Sequence, residues 1–117
     1  MPHIHTGKTG ERLASDWLTA NAFQIIHRNW RQGRYEVDII AAKEDCIHII
    51  EVKSRTSNSY GPPELSVNKR KIEHFLQGAT SWLLHHPGHR RVQYDVLAIT
   101  LRKGSPPEYV LFEDVYL

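Results

Sequence analysis

Two β-rich runs, residues 35–42 (YEVDIIAA) and 46–53 (CIHIIEVK), stand on either side of the polar triplet Lys43-Glu44-Asp45. Runs rich in Ile and Val and bounded by polar turn residues read as strands, and a short polar connection between them reads as a β-hairpin. Successive side chains in a strand point to opposite faces. Glu36, Asp38 and Ile40 therefore share one face, with Val37 and Ile39 on the other. In the second run Ile47, Ile49, Glu51 and Lys53 lie together, opposed by Ile50 and Val52. With a connecting loop of two or four residues, Asp38 falls directly opposite Glu51, and Ile40 opposite Ile49. Directly paired Cβ atoms lie about 4.5–5.5 Å apart. Two carboxylates at that range repel unless positive charge lies between them, and a divalent cation is the economical solution. Lys53 follows on the same face, suited to orient and acidify a metal-bound water and to stabilise charge developing on a phosphate. The same residues also fit a solvent-exposed salt-bridge ladder, although their apolar neighbours make an exposed edge hairpin less comfortable.

The flanking sequence supplies elements to cover such a hairpin. Leu13, Ala14, Trp17, Leu18 and Ala22 recur at helical spacing and predict an amphipathic helix over about residues 8–22. Residues 23–30 read as a strand that ends in a turn around Gly33. Residues 57–63, with Asn58, Gly61 and two prolines, read as a loop. Ile72, Phe75, Leu76, Ala79 and Leu83 mark the buried stripe of a helix over residues 68–85, which His86-Pro87-Gly88 stops. Residues 92–101 and 109–112 are further strands, with a turn at 104–107. The order αβββαββ implies an α/β fold with a mixed sheet covered on at least one face. At 117 residues, without repeats or a long linker, the chain reads as one domain over 1–117.

Charge on faces that should be buried marks two further positions, because desolvating an unpaired ion costs several kcal/mol. Glu11 lies in line with Ala14, Leu18 and Ala22. It is either a first-turn carboxylate favoured by the helix dipole or a third acid reaching a metal through water. Lys69 lies in line with Ile72, Leu76 and Leu83 at the start of the second helix. It is either a snorkelling surface lysine or a phosphate contact at the rim of the site. Asp95, among strand residues, reads chiefly as a structural hydrogen-bonding group.

Composition excludes several classes. One cysteine, Cys46, rules out an internal disulfide framework and a Cys-rich zinc site, and nothing in the sequence activates it as a nucleophile. The apolar runs fall far short of a membrane span, and residues 1–5 carry no signal-peptide core, so a reducing cytoplasmic home is expected. A net charge of +2 alone does not argue for nucleic acid, although Arg28, Arg31 and Arg34 cluster, as do Lys69, Arg70 and Lys71. Gly7-Lys8-Thr9 is not a P-loop, since Pro2 stands where that motif needs glycine. His3 and His5, and His85, His86 and His89, read as terminal and loop histidines.

Gly10-Glu11, Arg28-Asn29-Trp30, Glu36-Val37-Asp38-Ile39-Ile40, Glu51-Val52-Lys53 with Arg55, Gly61-Pro62, Val67 with Lys69, and Tyr94-Asp95-Val96 follow one another in a specific series. In order and spacing the series resembles the bacterial YraN-like proteins, over nearly the whole chain. That family is similar in its αβββαβ core to archaeal Holliday-junction resolvases, and so to the restriction-endonuclease-like PD-(D/E)xK superfamily. The resemblance implies Glu11 as the helix acid, Asp38 and Glu51 as metal carboxylates and Lys53 as the catalytic lysine. It further implies Mg²⁺ or Mn²⁺ as cofactor, branched DNA as substrate and, by analogy, a homodimer. Tyr35 departs from the pattern, standing where the family usually has glycine.

The leading expectation is a divalent-metal-dependent nuclease acting on DNA, in preference to RNA, with no membrane partner. Asp38, Glu51 and the backbone carbonyl of Val52 would hold the metal, with Glu11 contributing through water and Lys53 aligning the attacking water. Arg55, Lys69, Arg28, Arg31 and Arg34 would contact the nucleic-acid backbone. The rival expectation is a nucleic-acid-binding or adaptor module that keeps the fold without turnover, and a third is a structural partner in a larger complex.

Overall fold

The computed structural model describes residues 2–56, 69–88 and 91–115, with side chains from residue 9 onward. The predicted loop at 57–63, together with Val67, Asn68, His89 and Arg90, lies outside the described residues. In chain order the elements are α1 (Pro2–Ala20), β1 (Gln24–Gln32), β2 (Tyr35–Lys43), β3 (Cys46–Thr56), α2 (Lys69–His85), β4 (Arg91–Leu101) and β5 (Glu108–Phe112). The five strands form one sheet in the order β1-β2-β3-β4-β5. Every neighbouring pair is antiparallel except β3 and β4, which run parallel. That exception follows from connectivity: a parallel pair needs a crossover, and α2 lies on the segment that joins β3 to β4. The fold is thus α/β, with a mixed sheet and two helices in the predicted order.

One helix covers each face of the sheet. On one side Ala14 and Leu18 of α1 pack against Ile39, Ala41, Ile50, Leu97 and Ile99. On the other, Phe75, Ala79 and Trp82 of α2 pack against Val37, Ile40, Ile47 and Ile49. Double coverage explains why the central strands are near-continuous apolar runs. Each fully buried Leu or Ile here contributes about 1.5–3 kcal/mol. Among the described residues, no helix is long and apolar enough to cross a membrane.

Turn chemistry sets the registers. Glu44 and Asp45 form a two-residue hairpin loop with φ of 51° and 62°, as a type I′ turn requires. It fixes Lys43 opposite Cys46, Ile40 opposite Ile49 and Ile39 opposite Ile50, the register expected from an even loop. Gly33, with φ of 61°, opens the two-residue loop between Gln32 and Tyr35.

Two local expectations need correction. The first helix starts earlier than residue 8 and ends at Ala20, before residue 22. Ala22 takes a left-handed φ of 71°, and Phe23 N–H donates to the Leu18 carbonyl at 3.0 Å. Phe23 also packs with Leu18 in one core cluster, completing a Schellman cap. No glycine marks this cap, so spacing alone carried the helix too far. Ala22→Gly should therefore stabilise the fold by about 1 kcal/mol, by removing the left-handed penalty of a Cβ, as read from the urea midpoint at unchanged slope. The second correction concerns Val37, expected to share a face with Ile39. It packs instead with Ile40 on the α2 side. Alternation slips beside Asn29 of β1, which takes φ of 53° between the Arg28↔Ile39 and Trp30↔Val37 pairs.

Candidate metal centre

The β2–β3 ladder ends at Ile39↔Ile50, one pair short of Asp38 and Glu51. Beyond it the strands part, while β3 continues its pairing with β4 as far as Thr56↔Leu101. Asp38 occupies the resulting fork. Its Oδ2 accepts a hydrogen bond from the Val52 backbone N–H at 2.8 Å, so the side chain serves a donor that β2 backbone no longer pairs. Asp38 and Glu51 are therefore not the directly opposed ladder pair expected, and both line one cleft at the fork instead.

The fork opens into a cleft of about 300 Å³ on the α2 side, and Asp38, Glu51 and Val52 all line it. Glu36 and Arg34 flank them from β2 and its turn, while Lys71, His74 and Phe75 of α2 form the opposite wall. Alternation along β3 agrees: Val52 packs towards the α1 cluster, leaving Glu51 and Lys53 facing α2. The Asp38 carboxyl is pushed up to about 6, chiefly because burial penalises its charge. The Val52 hydrogen bond opposes the shift, and the charges of Glu36, Glu51 and Glu11 reinforce it. Repulsion among gathered carboxylates is the electrostatic signature of a place where positive charge is wanted.

Glu11 reaches this fork from α1 on the opposite face of the sheet. Asn29 Nδ2 donates to Glu11 Oε2 at 3.0 Å, and Asn29 itself lies beside Asp38 across the β1–β2 ladder. Gly10 permits the approach, since a Cβ there would stand 3.1 Å from the Ser54 Cβ and 2.8 Å from its Oγ. The Gly10-Glu11 and Arg28-Asn29-Trp30 motifs thus act as a pair. One lets the helix come close and the other holds its acid.

The remaining sequence candidates are dispersed. Lys53 sits half-buried in β3 opposite Ala98, one strand repeat beyond Glu51. Arg55 is engaged within the sheet, its Nε donating to Thr100 Oγ1 at 3.2 Å. Lys69 is exposed at the start of α2. Two of the three arginines gather at the cleft, since the partner of Arg31, Glu36, lines it together with Arg34. Arg34 lines the cleft, Arg31 pairs with exposed Glu36 at 3.0 Å, and Arg28 borders a groove with Ser15, Asp16 and Thr19 of α1. Asp95 is fully buried away from the fork, and burial raises the Cys46 thiol, as suits an inert residue. Sequence reasoning missed Lys71 and His74 as cleft residues. Their signal was present, since each lies four positions before a sheet-packed residue of the same helix, Phe75 and Gly78.

An αβββαββ chain with a mixed, doubly covered sheet and an acidic fork between its central strands has a nuclease-like α/β core. The model described as uncharacterised protein family UPF0102 matches residues 10–99. The UPF0102 protein of Thermodesulfovibrio yellowstonii is 40% identical over 112 residues, covering 96% of this chain and 100% of the relative. That of Rhodococcus opacus is 38% identical over 118 residues, covering 99% and 100%. That of Trichlorobacter lovleyi is 39% identical over 103 residues, covering 86% and 81%. The chain belongs to the UPF0102 family, the YraN-like proteins to which its motif series pointed.

Proposed function

We propose that this protein is a Mg²⁺- or Mn²⁺-dependent nuclease that hydrolyses phosphodiester bonds in DNA, branched DNA included. The observation that carries the reading is the fork: Asp38, held by the Val52 N–H, lies with Glu51 in a cleft whose far wall is cationic. The donor set is oxygen only, which suits a hard divalent ion retaining several waters. Such an ion, when bound, supplies Lewis-acid polarisation of the phosphate and a water of lowered pKa. Asp38, Glu51 and the Val52 carbonyl would hold it. The Val52 hydrogen bond fixes the Asp38 carboxylate, and Asn29 fixes Glu11, which adds negative potential through the sheet. Lys71 on the opposite wall and Arg34 beside Glu36 offer positive charge to the phosphate, and His74 a hydrogen-bonding ring. Lys53 would align the attacking water from the β3 side, and Lys69, exposed at the start of α2, would extend the backbone contacts, making binding salt-sensitive.

The test is an assay of the purified chain with Mn²⁺ on linear, single-stranded and four-way-junction DNA. Metal-dependent cleavage by wild type that disappears in Glu51→Gln supports the nuclease. Binding without cleavage, equal in wild type and Glu51→Gln, would replace it with a non-catalytic DNA-binding module.

A further inference from the structure

The hairpin-turn end of the sheet holds a second group of ligating side chains, on the α1 face and independent of the fork. His48 of β3 and Asp95 of β4 are buried there, with side chains 6% and 0% exposed. His48 Nδ1 donates to Asp95 Oδ2 at 2.7 Å, and the ring packs edge-on against Phe23 of the α1 cap. Its Nε2 makes no hydrogen bond among the described residues. The His48 ring lines a cleft of about 310 Å³ together with Cys46, Arg91, Gln93 and Glu113. One ligand atom from each of His48, Asp95 and Glu113 lies within 4.8 Å of the other two.

The carboxylates are held as metal ligands usually are, by donors behind them. Asp95 Oδ1 accepts from the Asp114 backbone N–H at 2.9 Å and from Gln93 Nε2 at 3.1 Å. The same Gln93 nitrogen donates to Glu113 Oε1 at 3.0 Å. A single amide thus bridges two carboxylates, a task that a cation performs with full charge.

We propose that His48, Asp95 and Glu113 form a second metal site, taking a divalent transition ion of the zinc class. Its donors differ from those of the fork. Imidazole nitrogen with carboxylate oxygen favours Zn²⁺ or Co²⁺, whereas the all-oxygen fork favours Mg²⁺ or Mn²⁺. The cleft that His48 and Glu113 line leaves room for water or a ligand to complete the coordination. Bound there, the ion ties β3, β4 and the segment after β5 together.

The chelator-treated full chain, carrying His3→Ala and His5→Ala to remove the terminal histidines, is titrated with Zn²⁺ by calorimetry. One ion is expected to bind equally well when Asp38→Asn is added, so this site stands or falls separately from the fork. Glu113→Gln should weaken it about tenfold or more, and His48→Gln should abolish it. Glu113 is exposed, so its variant should fold and decide the matter even if His48→Gln does not. Unchanged zinc affinity in Glu113→Gln, or zinc binding lost in Asp38→Asn alone, would overturn the proposal and leave His48 and Asp95 as a structural pair.

Discussion

Asp38→Asn is expected to make the metal-free protein more stable at about pH 8, by about 3 kcal/mol, while eliminating metal-dependent cleavage. The sign follows from the carboxyl's position. Its pKa in the folded chain, about 6, is raised above the ordinary 3.8. A raised acid favours the folded state fully below its unfolded pKa, and that contribution is lost as pH rises through the folded value. The advantage of the variant over wild type should therefore be near zero at about pH 4, grow through about pH 6 and level off above it. Asparagine is the right probe because its carbonyl oxygen still accepts the Val52 N–H while the charge is gone. Urea unfolding of both proteins across this pH range measures the difference. Mn²⁺ should reverse the ranking, raising the melting temperature of wild type and leaving Asp38→Asn unmoved, since only an ion that binds the folded state stabilises it. Parallel melting shifts in the two proteins would remove the metal from the fork.

Lys53→Met should lower cleavage by about 10²–10⁴-fold, the usual weight of a positioned general acid–base or charge-stabilising group. Its signature is the opposite of Asp38→Asn. Methionine retains an unbranched apolar stem of similar length at this half-buried position, so unfolding should change by less than about 1 kcal/mol. The Mn²⁺-induced melting shift should persist, because the carboxylates that hold the ion are untouched. Single-turnover cleavage with saturating Mn²⁺, read beside the melting shift, separates metal loss from loss of chemistry. Cleavage at the wild-type rate would take Lys53 out of the reaction.

The contrast between these variants exposes how the fork is assembled. Asp38 is costly to keep charged in the metal-free protein, because it is buried among three other acids. Part of that cost is offset by the Val52 N–H, left without a β2 backbone partner where the ladder ends. The separation of the strands is therefore what makes the site. A ladder continued to Asp38↔Glu51 would have engaged the Val52 N–H elsewhere and closed the cleft.

Much of this architecture is local and so was legible in the residues. Period-two and helical spacing identified the seven elements of the described residues, and the even hairpin loop sets the β2–β3 register through Glu44 and Asp45. Where the chain misled, the cause was a backbone conformation without its customary residue. Ala22 caps a helix where glycine is usual, and Asn29 turns left-handed inside a strand, moving Val37 to the other face. The arginine cluster is arranged by the hairpin rather than by sequence proximity. The β1–β2 hairpin places Arg34 in the cleft, Arg31 on Glu36 at its edge and Arg28 at a separate groove.

The order of elements, the hairpin register and the presence of carboxylates on adjoining strands can be read from the residues, because these depend on side-chain period and turn geometry within a few positions. Packing set the rest: the strands part at Asp38, Glu11 arrives from the far face on Asn29, Lys71 and His74 wall the cleft, and His48 meets Asp95. Each of those requires segments 14 or more residues apart to pack at a particular distance, and packing distance is set by the whole core rather than by any one run of residues.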